Sequence, residues 1–230
     1  MLTLGILGGM GPMATVRFYE LITRRTAARC DREHLDVVLC SRASTPDRTA
    51  YLLGESRDNP ALLLTEDARR LERFGAAMLA IPCNTAHAFY EDIRRAVKIP
   101  VLHMIRETVA AARADGHRTL GLLATAGTVK SGIYDDACRL CGMHCIAPLP
   151  AEQEEIGRLI YDGIKAGRET PRDELLTLSR ALIRRGADCV VYGCTELSLL
   201  YRGESGVYDA MTILADRAIE RLGATVREVV

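Results

Sequence analysis

Cys83 and Cys194 are the side chains best placed to do chemistry, because each closes a matching segment. Gly75-Ala76-Ala77-Met78-Leu79-Ala80-Ile81-Pro82-Cys83 parallels Gly186-Ala187-Asp188-Cys189-Val190-Val191-Tyr192-Gly193-Cys194, 111 positions later. A thiol carries one proton. One such group cannot readily take a proton from one face of a carbon and return one to the other, but an opposed thiolate and thiol can, in either direction. The base must lie within hydrogen-bond reach of the proton it removes. Its pKa must fall from about 8.5 towards neutrality, and helix amino termini after Cys83 and Cys194 are expected to help. A proton α to a carboxylate is far less acidic than a thiol, so the developing carbanion needs electrostatic support. Asn84 and Thr85 follow Cys83, and Thr195 follows Cys194. Their amide, hydroxyl and backbone N–H groups suit the carboxylate and ammonium of an amino acid. The loop Gly8-Gly9-Met10-Gly11-Pro12 offers a further anion site, with Pro12 suited to a first helical turn.

These groups need a scaffold that delivers them to one place. Apolar runs at 3–7, 36–40, 77–81, 119–123 and 188–192 read as buried strands. Segments 13–29, 60–74, 85–97, 104–114, 130–141, 151–166, 172–185 and 209–222 carry helical spacing. The alternation predicts an α/β protein with parallel sheets covered on both faces. A second repeat relates Thr3-Leu4-Gly5-Ile6-Leu7-Gly8-Gly9-Met10-Gly11 to Thr119-Leu120-Gly121-Leu122-Leu123-Ala124-Thr125-Ala126-Gly127, at an offset of 116. Two nearly equal offsets in the same order predict two similarly built lobes. They divide as residues 1–98 with 209–230, and 99–208, with Ile99-Pro100 as a crossover. Parallel sheets bind ligands beyond the carboxyl ends of their strands. Pseudo-two-fold lobes would therefore bring both thiols into one cleft.

The bulk properties agree. Thirty basic and thirty acidic residues cancel, which argues against a nucleic-acid partner. No apolar run is long enough for a membrane span. The amino terminus reads as a strand rather than a signal peptide, so a cytoplasmic location is expected. There the eight cysteines should be free thiols or ligands rather than disulfides. Cys138 and Cys141 have C-x-x-C spacing, with His144 and Cys145 nearby, which suits zinc or redox chemistry. A helix ending at Gly142 before a strand, with the cysteines packed inside, explains the segment without a ligand. The first loop lacks a full G-x-G-x-x-G pattern, and no lysine sits in a recognisable pyridoxal phosphate motif.

The blocks Gly8-Gly9-Met10-Gly11-Pro12, Pro82-Cys83-Asn84-Thr85-Ala86-His87 and Gly193-Cys194-Thr195-Glu196-Leu197 resemble signatures of the aspartate/glutamate racemase family. Pro46-Asp47-Arg48-Thr49, Leu123-Ala124-Thr125-Ala126-Gly127-Thr128 and Ile160-Tyr161-Asp162-Gly163-Ile164-Lys165 fit it too. The resemblance implies two Rossmann-like lobes with the site between them, no cofactor, and a homodimer. Glutamate racemases of the cell-wall type usually carry Asp-Ser in the first loop and His after the second Cys-Thr. Glycines and Glu196 at those places point to the aspartate branch. In that branch Arg48 and Lys165 match positions around the substrate's side-chain carboxylate, which Arg would grip as a fork and Lys as a point charge. The expected substrate-binding set is thus Met10, Arg48, Asn84, Thr85, Thr125, Lys165, Thr195 and Glu196, with D- or L-aspartate or glutamate as substrate. The resemblance also implies that Cys83 serves the D-form and Cys194 the L-form. His87 either tunes Cys83 or is structural; Glu196 either orients Cys194 or caps the next turn. Maleate isomerases, arylmalonate decarboxylases and hydantoin racemases share the fold and stand as alternatives, as does a non-enzymatic amino-acid-binding protein.

Overall fold

The computed structural model describes residues 2–227. Met1 and residues 228–230, part of the first expected lobe, lie outside the described residues. Two parallel sheets form. The first comprises β1 (Leu4–Gly8), β2 (Val37–Ser41) and β3 (Met78–Ala80), in the order β2-β1-β3. The second comprises β4 (Thr119–Leu123), β5 (His144–Ile146), β6 (Cys189–Tyr192) and β7 (Val207–Asp209), in the order β5-β4-β6-β7.

The internal repeat has a structural counterpart. β1 and β4 occupy the same interior position, and β3 and β6 flank them. Leu4 pairs with Met78 in the first sheet, and Leu120 with Cys189 in the second. Those partners are related by the two sequence offsets, so the duplicated segments adopt the same register.

Helices cover both faces of each sheet. They are α1 (Pro12–Arg25), α2 (Arg48–Leu53), α3 (Ala61–Arg73), α4 (Tyr90–Ala96), α5 (Met104–Ala114), α6 (Ala126–Lys130), α7 (Ile133–Leu140), α8 (Pro150–Gly157), α9 (Arg172–Arg184) and α10 (Ala210–Arg221). Side chains alternate across a pleated strand, and β1 shows it. Leu4 and Ile6 pack with α1 and α10, while Leu7 packs with α3. β4 divides likewise, Leu120 and Leu122 facing α5 and α7, and Leu123 facing α9. α10 therefore returns from the second sheet to the first core. Asp209 starts it by accepting from the Thr212 amide at 3.0 Å and hydroxyl at 2.6 Å. α5 joins the halves: Met104 enters the first core, while Ile105, Val109 and Ala112 enter the second.

Several helical segments are shorter than their periodicity suggests. The 85–97 segment opens with a tight 3-10 turn, Thr85–Phe89, before α4. Gly132, at φ +67°, splits 130–141 between α6 and α7. The 151–166 segment passes from α8 into a π-helical stretch, Arg158–Ile164. No helix among the described residues is long and apolar enough to cross a membrane.

Candidate active site

All ten residues expected at the site line one inner cavity: Cys83, Asn84 and Thr85 after β3; Cys194, Thr195 and Glu196 after β6; Met10, Arg48, Thr125 and Lys165 from the surrounding loops and helices. Sequence reasoning assigned no role to Asp47, Thr49 or Tyr161, which also line it. Their signals were present. Asp47 and Thr49 flank Arg48, and Tyr161 lies one helical turn before Lys165.

Cys83 is held by its backbone. Its carbonyl accepts from His87 Nδ1 at 2.9 Å, while His87 Nε2 accepts from the Met104 amide at 3.0 Å. Both bonds require the proton on Nδ1. Complete burial lowers the His87 pKa to about 4, so a neutral ring pins the Cys83 turn to the start of α5. It brings no positive charge to the thiol, and of the two roles open to His87 the geometry supports the structural one.

Asn84 crosses between the lobes. Its Oδ1 accepts from the Tyr134 hydroxyl at 2.7 Å. Burial raises the Tyr134 pKa well above the usual value, so this hydroxyl remains a donor. Asn84 Nδ2 is left buried with no protein partner. An unpaired buried donor costs about 1–3 kcal/mol, so its place in the cavity wall marks it for a ligand acceptor. Beside it, the hydroxyls of Thr85, Thr125 and Thr128 close a triangle with edges of 2.9–3.0 Å. Tyr134 and Thr128 thus stand behind the residues lining the cavity.

Glu196 governs the other half. Its Oε2 accepts from Cys194 Sγ at 2.9 Å and from Thr195 Oγ1 at 3.3 Å. Lys165 Nζ lies 3.8 Å from Oε1 and 4.9 Å from the centre of the Tyr161 ring. Burial, then the Glu196 charge, pushes the Cys194 pKa well up. The expected help from a helix amino terminus is not found here. Only a single 3-10 turn, Leu197–Leu199, follows Cys194, and a carboxylate stands nearer. At rest Cys194 is therefore a thiol donating to Glu196. Burial pulls the Lys165 pKa down, but Glu196 and Cys194 outweigh it and the net shift is upward, so Lys165 remains an ammonium.

Arg48 opens α2 and is 8% exposed. It donates from one guanidinium nitrogen to the carbonyls of Pro46 at 2.9 Å and Thr45 at 3.2 Å, while its Nε has no partner. No carboxylate among the described residues forms a salt bridge with it. A buried charge without a counter-charge is costly, and a ligand carboxylate would supply one.

In the glycine loop, one of the amides expected to hold an anion is occupied. The Gly9 amide is already taken by Thr15 Oγ1 at 2.8 Å. Gly9 has φ +90°, and a Cβ there would lie 2.4 Å from the Arg42 amide nitrogen. Its requirement for glycine is thus steric, and it lets Met10 reach the cavity wall. An outer pocket of about 330 Å³, lined partly by Gly9, Gly11 and Pro12, shares Asp47, Arg48, Lys165 and Glu196 with the inner cavity. It forms a vestibule.

Fold and site together define a two-lobed α/β protein with paired thiols in a cleft flanked by cations. Residues 7–218 match the family model for Asp/Glu/hydantoin racemases, and the chain belongs to that family. The broad specificity amino-acid racemase RacX of Bacillus subtilis is 27% identical over 94% of this chain and 96% of its own length. The Picrophilus torridus aspartate racemase superposes with a TM-score of 0.84 at 27% identity, covering 99% of this chain and 96% of that one. Glutamate racemase RacE1 of Bacillus anthracis, at 16% identity and a TM-score of 0.66 over 97% and 82% of the two chains, shares the fold.

Proposed function

We propose that this chain is a cofactor-independent racemase of a dicarboxylic amino acid, aspartate or glutamate, working in the cytoplasm as a homodimer. The observation that carries the reading is the shared cavity: Cys83 and Cys194, from different sheets, line it together with the unpaired Arg48. Both proton acceptor and proton donor are then protein thiols.

In the L-to-D direction Cys194 is the base. Glu196 is placed to receive the Cys194 proton, the thiolate takes the α-proton, and the Cys83 thiol delivers a proton to the opposite face. In the reverse direction Cys83 is the base and Cys194 the donor. Asn84 Nδ2 and the neighbouring threonine hydroxyls bind the α-carboxylate. Lys165 supports the negative charge that develops, and Arg48 takes the side-chain carboxylate.

The broad specificity stated for the Bacillus relative raises a second reading, in which neutral amino acids also turn over. Arg48 favours dicarboxylates, because a neutral side chain would leave its guanidinium buried without a counter-charge. Proton NMR in deuterated water tests both readings. D- and L-aspartate should each exchange the α-proton and invert. Cys83→Ser and Cys194→Ser should each lose most of the inversion. Arg48→Leu should cost dicarboxylates about 2–5 kcal/mol in kcat/KM and spare neutral substrates. Undiminished inversion in Cys83→Ala would remove the two-thiol mechanism.

A further inference from the structure

A second group of chemically able side chains lies on the far side of the second lobe. His117 precedes β4, while Asp188 and Cys189 stand where β6 begins. The strands run from this edge towards the cavity, so the group occupies the opposite end of the sheet from Cys194. His117 Nδ1 is 3.4 Å from Asp188 Oδ1. One ligand atom from each of His117, Asp188 and Cys189 lies within 4.8 Å of the others.

We infer that His117, Asp188 and Cys189 form a site for one borderline-soft divalent metal ion of the zinc class, with a solvent molecule completing the tetrahedron. Nitrogen, oxygen and sulfur together suit zinc or cobalt rather than magnesium or calcium, which take oxygen. Bonds of about 2.0–2.3 Å at tetrahedral angles place ligand atoms about 3.3–3.8 Å apart. The group therefore needs to close by about 1 Å at its widest. The His117 side chain is 25% exposed, so its ring can swing inward without disturbing the core. One thiolate and one carboxylate give two negative charges, which a dication balances. Binding releases one proton from Cys189 to solvent.

The surroundings support the ligands as outer contacts of metal sites do. Asp188 is fixed by two backbone amides, Arg118 to Oδ2 at 2.8 Å and Thr119 to Oδ1 at 3.1 Å. The Tyr208 ring meets the His117 ring edge-on at 5.6 Å, and its own hydroxyl donates to Asp115 at 2.5 Å. His117 is thus braced on one side and open on the other. Without metal, burial and the neighbouring Asp188 push the Cys189 pKa up to about 12, so the thiol stays protonated. A dication reverses that preference. The C-x-x-C segment, which the sequence explains as a helix end with packed cysteines, contributes no ligand to this group.

Cobalt(II) titration of the full chain tests the site, in a Cys83→Ser/Cys194→Ser background so that the cavity thiols cannot contribute. One equivalent should bind with a near-ultraviolet thiolate-to-cobalt charge-transfer band, and zinc should displace it. The band should vanish in Cys189→Ser. Affinity should fall at least about tenfold in His117→Ala and Asp188→Asn. Zinc should raise the melting temperature of the parent but not of His117→Ala, a surface change that leaves the core intact. Absence of a sulfur band, or a band undiminished in His117→Ala, would overturn the assignment.

Discussion

At the scale of single residues, Cys194 shows how far a neighbour can override a local rule. The sequence places it before a turn, and a helix amino terminus would have favoured its thiolate. Burial and the Glu196 carboxylate act the other way and hold the proton on sulfur. A raised pKa means that the thiolate fraction grows only as pH rises well past the ordinary cysteine range. Glu196→Gln removes one source of that elevation and leaves the burial. The ionisation of Cys194 should therefore move to lower pH. Iodoacetamide labelling of the Cys194 peptide against pH, read by mass spectrometry in a Cys83→Ser background, measures the shift. A labelling curve that does not move would show that Glu196 leaves the thiol unaffected. The cavity residues were legible in the sequence because their motifs are local and the cysteine block is duplicated. Asp47, Thr49 and Tyr161 went unassigned although they sit beside Arg48 and Lys165 in the chain, since only contacts between distant elements bring them to the cavity wall.

At the scale of elements, long periodic segments were legible and short ones were not. α5 has the predicted bounds, and β4 those of its apolar run. α2, a six-residue helix, carries too little periodicity to stand out. Its ends were nonetheless written in the chain. Asp47 caps it by accepting from the Ala50 amide at 2.9 Å, and Gly54 stops it at φ +80°. β7 is three residues at a sheet edge, and only tertiary pairing makes it a strand. α2 matters because it carries Arg48, and its position depends on α6 of the other half. A Cβ on Gly127 would lie 2.7 Å from Thr49 Cα, a backbone atom that cannot turn aside. Gly127→Ala should therefore push α2 outward, cost about 1–3 kcal/mol of stability, and raise KM for aspartate more than it lowers kcat. Thermal unfolding with steady-state kinetics would check this. Unchanged KM would mean that Arg48 keeps its place despite the displaced helix.

At the scale of the whole molecule, duplication explains how one cleft receives two thiols. Each half carries a cysteine in the loop just after the matching strand, β3 or β6, and the pairing of the halves brings the two together. What no local pattern could reveal is how tightly they close. The free volume of the inner cavity is about 10 Å³, the room of about one water molecule. An amino acid enters only if the walls separate, and the vestibule above Arg48 and Lys165 marks where. The bonds that must loosen are those between the halves. Among them the Thr85–Thr125–Thr128 triangle is compact and buried. Thr128 lies outside the cavity lining, so changing it alters closure without removing a ligand contact. Thr128→Val keeps the shape and deletes two edges of the triangle. At about 1 kcal/mol for each net hydrogen bond, losing both should make opening roughly thirtyfold more frequent. Hydrogen exchange at amides of α2 and α6 should accelerate by that factor, while amides of β1 and β4 keep their rates. Equal acceleration in the sheets would mean that the threonines stabilise the fold as a whole, and the closed cavity would then need another latch.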